Sequence, residues 1–281
     1  MRKFWSKFKR NALYLLALLI SFYGCSDHRK GESFGNFNNN VVIYGDSRTD
    51  DNAHRKIVAS ISKVSPHVIF HVGDLVESGN NQAQWNTFNE ITFKLRKSAL
   101  FYTTAGNHEF ESPLYYDNFL LPNNEKWYTV IFNNILFVVI NSNLNLKPGS
   151  EQYMWLNDVL SAVNANIKFK AVIFHHPPYS SGNHQLERPD LQASVVPLFE
   201  KYGVNIVFNG HDHDYERLKV NNVYYIVTGG GGAPLTAMGA KNEFSQKFKS
   251  SYNFCNMSII NDKLNVIVYD ADLNIIDEFN I

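Results

Sequence analysis

Val41-Val42-Ile43-Tyr44-Gly45-Asp46 is a strand-like run of four residues closed by a glycine and a carboxylate. The same arrangement returns along the chain. Val68-Ile69-Phe70-His71 leads into Gly73-Asp74, and the shorter Leu100-Phe101-Tyr102-Thr103-Thr104 leads into Gly106-Asn107-His108. Lys170-Ala171-Val172-Ile173-Phe174 ends at His175, and Val204-Asn205-Ile206-Val207-Phe208 ends at Gly210-His211-Asp212-His213. In an open α/β sheet, ligands bind in the crevice beyond the carboxyl ends of the strands. Asp46, Asp74, Asn107 and four His are therefore expected on one edge, although they lie far apart in sequence. Oxygen and imidazole donors in that mixture suit hard and borderline divalent cations, and do not resemble a lone thiolate or heme site. The chain reads as a two-metal hydrolase.

With 281 residues, 44% hydrophobic and 19% charged, the chain can bury one sizeable core. Its formal charge of zero hides an asymmetry. Residues 1–24 hold Arg2, Lys3, Lys7, Lys9 and Arg10 and no acid, so the remainder is mildly acidic. An acidic body lacks the electrostatic footprint of a nucleic-acid binder.

The N-terminus reads as a targeting segment. A basic stretch precedes Ala12–Ile20, an apolar run too short for a comfortable membrane span of ~20 residues. Gly24-Cys25 follows and resembles a bacterial lipobox, in which the Cys is lipidated and becomes the mature N-terminus. Phe22 and Tyr23 depart from that pattern, and an uncleaved N-terminal anchor is the alternative. Either way the body is expected to be exported, as an anchored lipoprotein of the cell envelope or as a periplasmic or secreted protein. Residues 25–40, rich in Asn, Gly and Ser, read as a flexible tether, and the folded domain is expected over 41–281. Only Cys255 then remains, a small hydrophobe within an apolar run, so no intrachain disulfide is expected.

Helical patterns occupy 52–64, 82–97, 150–164 and 190–202. Ser150 is a fitting N-cap, with Tyr153, Leu156, Leu160 and Val163 forming an apolar stripe. Pro189-Asp190 and Gly203 bracket the last of the four. Trp85, Phe88, Ile91 and Trp155 read as packing residues. Trp127–Phe132 and Ile135–Ile140 flank Asn133-Asn134, a hairpin signal. Phe254–Ile260 and Leu264–Tyr269 form a second hairpin, and Ile275–Phe279 a last short strand. Strand–helix alternation with late hairpins predicts an α/β protein with one mixed sheet or two sheets flanked by helices.

The five motifs, in this order and spacing, resemble the calcineurin-like metallophosphoesterases over Val41 to at least Gly232, most of the chain after the leader. Any one motif alone would more often be a turn; together they are specific. Gly210-His-Asp-His-Asp-Tyr-Glu-Arg217 and Thr228-Gly229-Gly230-Gly231-Gly232 look like the purple-acid-phosphatase branch. So does Arg48, which stands where other branches place a metal-binding His. The resemblance implies a four-layer α/β/β/α sandwich with mixed sheets. It implies that Asp46 and His213 hold one divalent ion, that Asn107, His175 and His211 hold another, and that Asp74 bridges them. Such a pair lowers the pKa of a shared water and clamps a phosphate for in-line attack. The reading is therefore a phosphomonoesterase acting on a phosphate-ester substrate. A phosphodiesterase acting on cyclic nucleotides or phospholipid head groups is the alternative, and a non-catalytic surface binding lipoprotein a further one.

His108, beside a ligand, is expected to stabilise the transition state or protonate the leaving oxygen. His184 resembles a substrate-facing His of the same family, or is an ordinary loop residue. Arg48 either grips a phosphate bidentately or pairs with a nearby acid. His71 and His176 are expected to orient ligands, and Glu109 and Tyr215-Glu216-Arg217 to support the site. His28, His54 and His67 read as solvated surface. Purple acid phosphatases carry a Tyr three residues after the bridging Asp, and here that position is Glu77. Without that phenolate a stable ferric ion is not expected, which leaves Mn, Zn or ferrous iron.

Overall fold

In the computed structural model, which describes residues 39–281 apart from 163 and 186, each Gly-Asp or His motif follows the end of a strand. Along the chain come β1 (Val41–Tyr44), α1 (Asp51–Lys63), β2 (Val68–His71), α2 (Gln82–Ser98), β3 (Leu100–Thr103) and α3 (Pro113–Asn118). Then follow β4 (Tyr128–Phe132), β5 (Ile135–Val139), α4 (Glu151–Ser161), β6 (Phe169–Ile173), α5 (Pro189–Ser194), α6 (Val196–Lys201) and β7 (Ile206–Asn209). The chain closes with β8 (Tyr215–Val220), β9 (Val223–Thr228), β10 (Ser245–Lys249), β11 (Asn253–Ile260), β12 (Lys263–Asp270) and β13 (Ile275–Asn280).

Two mixed sheets result. One has the order β13-β12-β11-β1-β2-β3, the other β10-β8-β9-β7-β6-β5-β4. In the first, β1, β2 and β3 run parallel while β11 returns antiparallel to β1. In the second, β5, β6, β7 and β9 are parallel. Successive strand residues face opposite sides, and here both sides are apolar. Val41, Ile43, Val68 and Phe70 meet Phe137, Val139, Ala171, Ile173, Ile206 and Phe208 between the sheets. Val42, Tyr44 and Ile69 face outward onto Ile57, Ile61, Ile91 and Leu95 of α1 and α2. Val138, Val172 and Val207 face Leu156, Leu160, Leu198 and Phe199 of α4 and α6. Helix, sheet, sheet and helix are the expected four layers.

Local chemistry sets the element ends. Asp50 and Asn81 cap α1 and α2 by accepting from backbone N–H groups, and Ser150 caps α4 as expected. The expected helix over 190–202 is broken into α5 and α6 at Val195, because Pro197 has no N–H to continue the ladder. The helix expected to reach 164 ends at Ser161, and Val163 lies outside the described residues. Both expected hairpins form. Asn133 and Asn134, like Asn261 and Asp262, have positive φ, which tight two-residue hairpin turns require. Trp85 and Phe88 are buried, and Cys255 is buried with its thiol pushed up to about 12 by burial.

Two histidines are not the solvated surface residues expected. His54 is 1% exposed, stacked on Phe88 with Nε2 3.4 Å from Tyr44 Oη. It shares the inner stripe of α1 with Ile57, Val58 and Ile61, so helical spacing placed it in the core. His67 is half-buried, its ring stacked against Phe132. His28 lies outside the described residues, as do Cys25, the leader and nearly all of the tether.

The first described residues and Ile281 lie at the edge away from the motifs. Asn40 O accepts from His67 N–H just before β2, and Asn39 O accepts from Asn133 in the β4–β5 turn. Ile281 pairs with Leu264 at the start of β12. Among the described residues no helix is long and apolar enough to cross a membrane.

Candidate metal centre

Three of the candidate ligands take a backbone conformation that L-residues rarely adopt: φ is 56° at Asp46, 56° at Asp74 and 73° at His211. Such strain clusters at functional sites, where the surroundings hold it in place. Two glycines leave room for the carboxylates. A Cβ on Gly106 would stand 2.0 Å from Asp74 Oδ1, and one on Gly210 2.2 Å from Asp46 Oδ2. Glu109 ties two of the loops together by accepting from Asp74 N–H, Val76 N–H and Gly106 N–H. Burial and the Asp74 carboxylate push Glu109 up to about 8. Asp46 accepts from His211 N–H across the sheet edge. His71 links the Asp46 and Asp74 loops: Nδ1 accepts from Gly73 N–H and Nε2 meets Ser47 Oγ at 3.0 Å.

The imidazoles are aimed by carbonyls. His175 Nδ1 lies 2.9 Å from Val72 O, and a carbonyl only accepts, so Nδ1 carries the proton and Nε2 a lone pair. That lone pair is 3.0 Å from Asn107 Oδ1, 3.2 Å from His211 Nδ1 and 3.4 Å from Asp74 Oδ1. His211 Nε2 points at Glu187 Oε2, 2.8 Å away, which leaves Nδ1 as the inward lone pair. Burial holds His175 well below the ordinary imidazole range and lowers His211 as well, so neither brings a second proton to the meeting point. The lone pairs of His175 Nε2, His211 Nδ1 and Asn107 Oδ1 therefore meet with no hydrogen to share, beside Asp74 Oδ1, which accepts from His108 N–H. A cation satisfies such a group, and the donor set fits a divalent ion.

The second cluster lies beside the first. Asp46, Asp74 and His175 offer ligand atoms that all fall within 4.8 Å of one another. His213 Nδ1 is 2.7 Å from Pro234 O, which turns Nε2 toward Asp46 Oδ1 at 3.8 Å. Burial pushes Asp46 well above the carboxylate range and Asp74 adds to it, a charge deficit that cations would fill.

His108 Nδ1 is fixed on Glu77 O at 2.7 Å, and Nε2 lies 3.7 Å from Asp74 Oδ2. His184 is half-buried, its Nδ1 2.8 Å from Asp212 Oδ1, and this hydrogen bond raises the imidazole pKa. Its ring centroid is 4.1 Å from that of His211. Arg48 is paired with acids: Nη1 with Glu77 at 2.6 Å and Nε with Asp74 at 3.3 Å. His176 packs on His175 and His211, held by Ser142 at Nδ1. Glu216 accepts from Ser181 N–H and Oγ, and so anchors the loop that leads to His184. Sequence reasoning missed Glu187 and Asp212. Their signals were present, a carboxylate three residues after His184 and another between His211 and His213.

The profile of the calcineurin-like phosphoesterases matches residues 22–215. The chain belongs to that family. Its relatives include purple acid phosphatase 18 of Arabidopsis thaliana, 35% identical over 167 residues, which cover 53% of this chain and 38% of that one. A nucleotide pyrophosphatase/phosphodiesterase of Hordeum vulgare is 23% identical over 264 residues, covering 76% of this chain and 71% of that one. The fold matches the purple acid phosphatase PPD1 from yellow lupin seeds with a TM-score of 0.75 and 22% identity, over 86% of this chain and 53% of that one.

Proposed function

We propose that the protein is an exported, metal-dependent phosphomonoesterase. The convergence of lone pairs from His175, His211, Asn107 and Asp74 carries the reading, because it asks for a cation in a family of phosphoesterases. In this reading Asp46 and His213 hold one divalent ion (Mn, Fe or Zn), Asn107, His175 and His211 hold the other, and Asp74 lies between them. Two such ions, when bound, lower the pKa of a shared water and stabilise charge on phosphoryl oxygens. The remaining steps belong to side chains. His108, its Nδ1–H held on Glu77 O, turns Nε2 to the edge of the centre, where a proton carried on Nε2 would reach a phosphoryl or leaving-group oxygen. His184, raised by Asp212, holds a proton that it can give to the leaving oxygen. Arg48 is the substrate-facing cation once freed from its acids.

The barley relative's name supports a second reading, a phosphodiesterase. Paired chromogenic mono- and diesters decide between them: faster turnover of p-nitrophenyl phosphate than of its bis ester supports the first. Elemental analysis of metal-replete protein should find about two divalent ions per chain, and chelation should abolish turnover. Fewer than one ion would sink the reading. Export rests on residues 1–24 as signal, Cys25 as a lipid-anchored residue and 25–40 as tether, ahead of the catalytic domain 41–281.

A further inference from the structure

The Arg48 guanidinium is shared among three groups at the centre. Nε lies 3.3 Å from Asp74 Oδ2, Nη1 donates to Glu77 Oε2 at 2.6 Å, and Nη2 stands 3.4 Å from His213 Nε2. The last contact has one direction. His213 Nδ1 keeps its proton on Pro234 O, so Nε2 accepts from the guanidinium with the same lone pair that an ion would need. The Asp74 carboxylate, with lone pairs on both oxygens, can face the guanidinium and a cation at once, so the contest is for His213. One lone pair cannot serve a guanidinium and a cation together, and Arg stays charged at every pH a protein survives.

We propose that Arg48 is a built-in competitor for the ion position formed by Asp46, Asp74 and His213, so that the two ions bind with unequal affinity. This rests on the two-ion reading above. Glu77 is the group that holds the competitor in place, and its Oε2 is itself fixed by Thr49 Oγ1 at 2.7 Å. The guanidinium also has somewhere to go. A cavity of about 290 Å³ opens beside it, lined by Ser47, Thr49, Asp51, Gln84 and Thr87. At the other position His175 Nε2, Asn107 Oδ1 and His211 Nδ1 face one another rather than a guanidinium. An ion arriving between Asp74 and His213 therefore displaces Arg48, which frees it to meet a phosphate, whereas the first ion meets no such barrier.

Calorimetric titration of the chelator-stripped full chain with Mn²⁺ tests this without recourse to turnover. Wild type should show one tight ion and one bound at least roughly ten-fold more weakly. Arg48→Met keeps most of the stem and loses the charge, and should tighten the weaker ion by about ten-fold or more while the tight ion stays within about three-fold. Arg48→Lys, which cannot span all three partners, should fall between. Equal affinities in wild type overturn the proposal. So does a second ion that binds Arg48→Met no more tightly, or loss of both ions from that variant. Wild-type protein that binds no ion overturns the two-ion reading as well, which separates the two failures.

Discussion

Asp74 and His108 are neighbours at the centre and should fail differently when replaced. Asp74 faces both clusters, so Asp74→Asn should strip metal and activity together. The His108 side chain touches the centre only through Nε2, 3.7 Å from Asp74 Oδ2, and the backbone N–H that donates to Asp74 Oδ1 survives substitution, so His108→Ala should keep its metal and lose roughly 100- to 10,000-fold in turnover. Metal analysis beside kinetics checks both, and a His108→Ala protein stripped of metal would show that the role is misassigned. Glu77 predicts colour. With no tyrosine there, iron-loaded protein should lack a strong visible charge-transfer band; Tyr44 Oη faces His54 and Tyr215 Oη donates to Asp277, so neither phenol substitutes. An absorption spectrum settles it. His54 predicts a pH dependence. Burial pushes its pKa down to about 3 from an ordinary value near 6.5. Below pH 6.5 the unfolded chain binds a proton that the folded one refuses, so stability is whole above 6.5 and declines as pH falls toward 3. The decline from this group is about 1.4 kcal/mol per pH unit. Urea midpoints at pH 7, 6 and 5 should fall less steeply in His54→Leu than in wild type. The donors Asp46, Asp74, Asn107, His175, His211 and His213 stood out in the sequence because each ends a strand-like run. Glu187 offered only its place three residues after His184, and nothing local names His211 as its partner.

Loops and turns show which elements sequence could reveal. The Asn133-Asn134 and Asn261-Asp262 turns announced their hairpins because asparagine and aspartate tolerate positive φ. Asn221-Asn222 carried the same signal, yet the β8–β9 hairpin around it was not anticipated. In β8 Tyr215, Leu218 and Val220 are buried between charged residues, and Glu216 is buried too, satisfied by Ser181 rather than by water. A buried, fully bonded glutamate looks like a surface residue in sequence. The six residues of α3 are too few for a helical period, and only Ser112 as a cap with Pro113 after it marked the start. Gly106 gives the element-scale prediction. A methyl group there would sit 2.0 Å from Asp74 Oδ1 and 2.4 Å from Asp74 N, so the loop must move. Gly106→Ala should therefore lose bound metal while its far-ultraviolet circular dichroism stays native. Two ions retained in that variant would show that the loop yields without cost.

The four-layer order follows from strands that are apolar on both faces, since each sheet must be covered twice to bury Val42 as well as Val41. Helices flanking one mixed sheet or two were legible in the sequence, and only the family resemblance implied the four layers. The pairing of β11 against β1 was not legible, because it joins segments from opposite ends of the body and no local pattern encodes such a partner. Export is the prediction that belongs to the whole molecule. Wild type expressed in a bacterial host should partition into detergent and incorporate labelled fatty acid, and Cys25→Ser should do neither. Label that persists in Cys25→Ser would favour another anchor. The body carries one more consequence of its topology. Asn39 and Ile281 both emerge at the edge away from the metal centre. A fusion partner, a bead or a sensor surface can therefore be joined through either end without obstructing the substrate's approach.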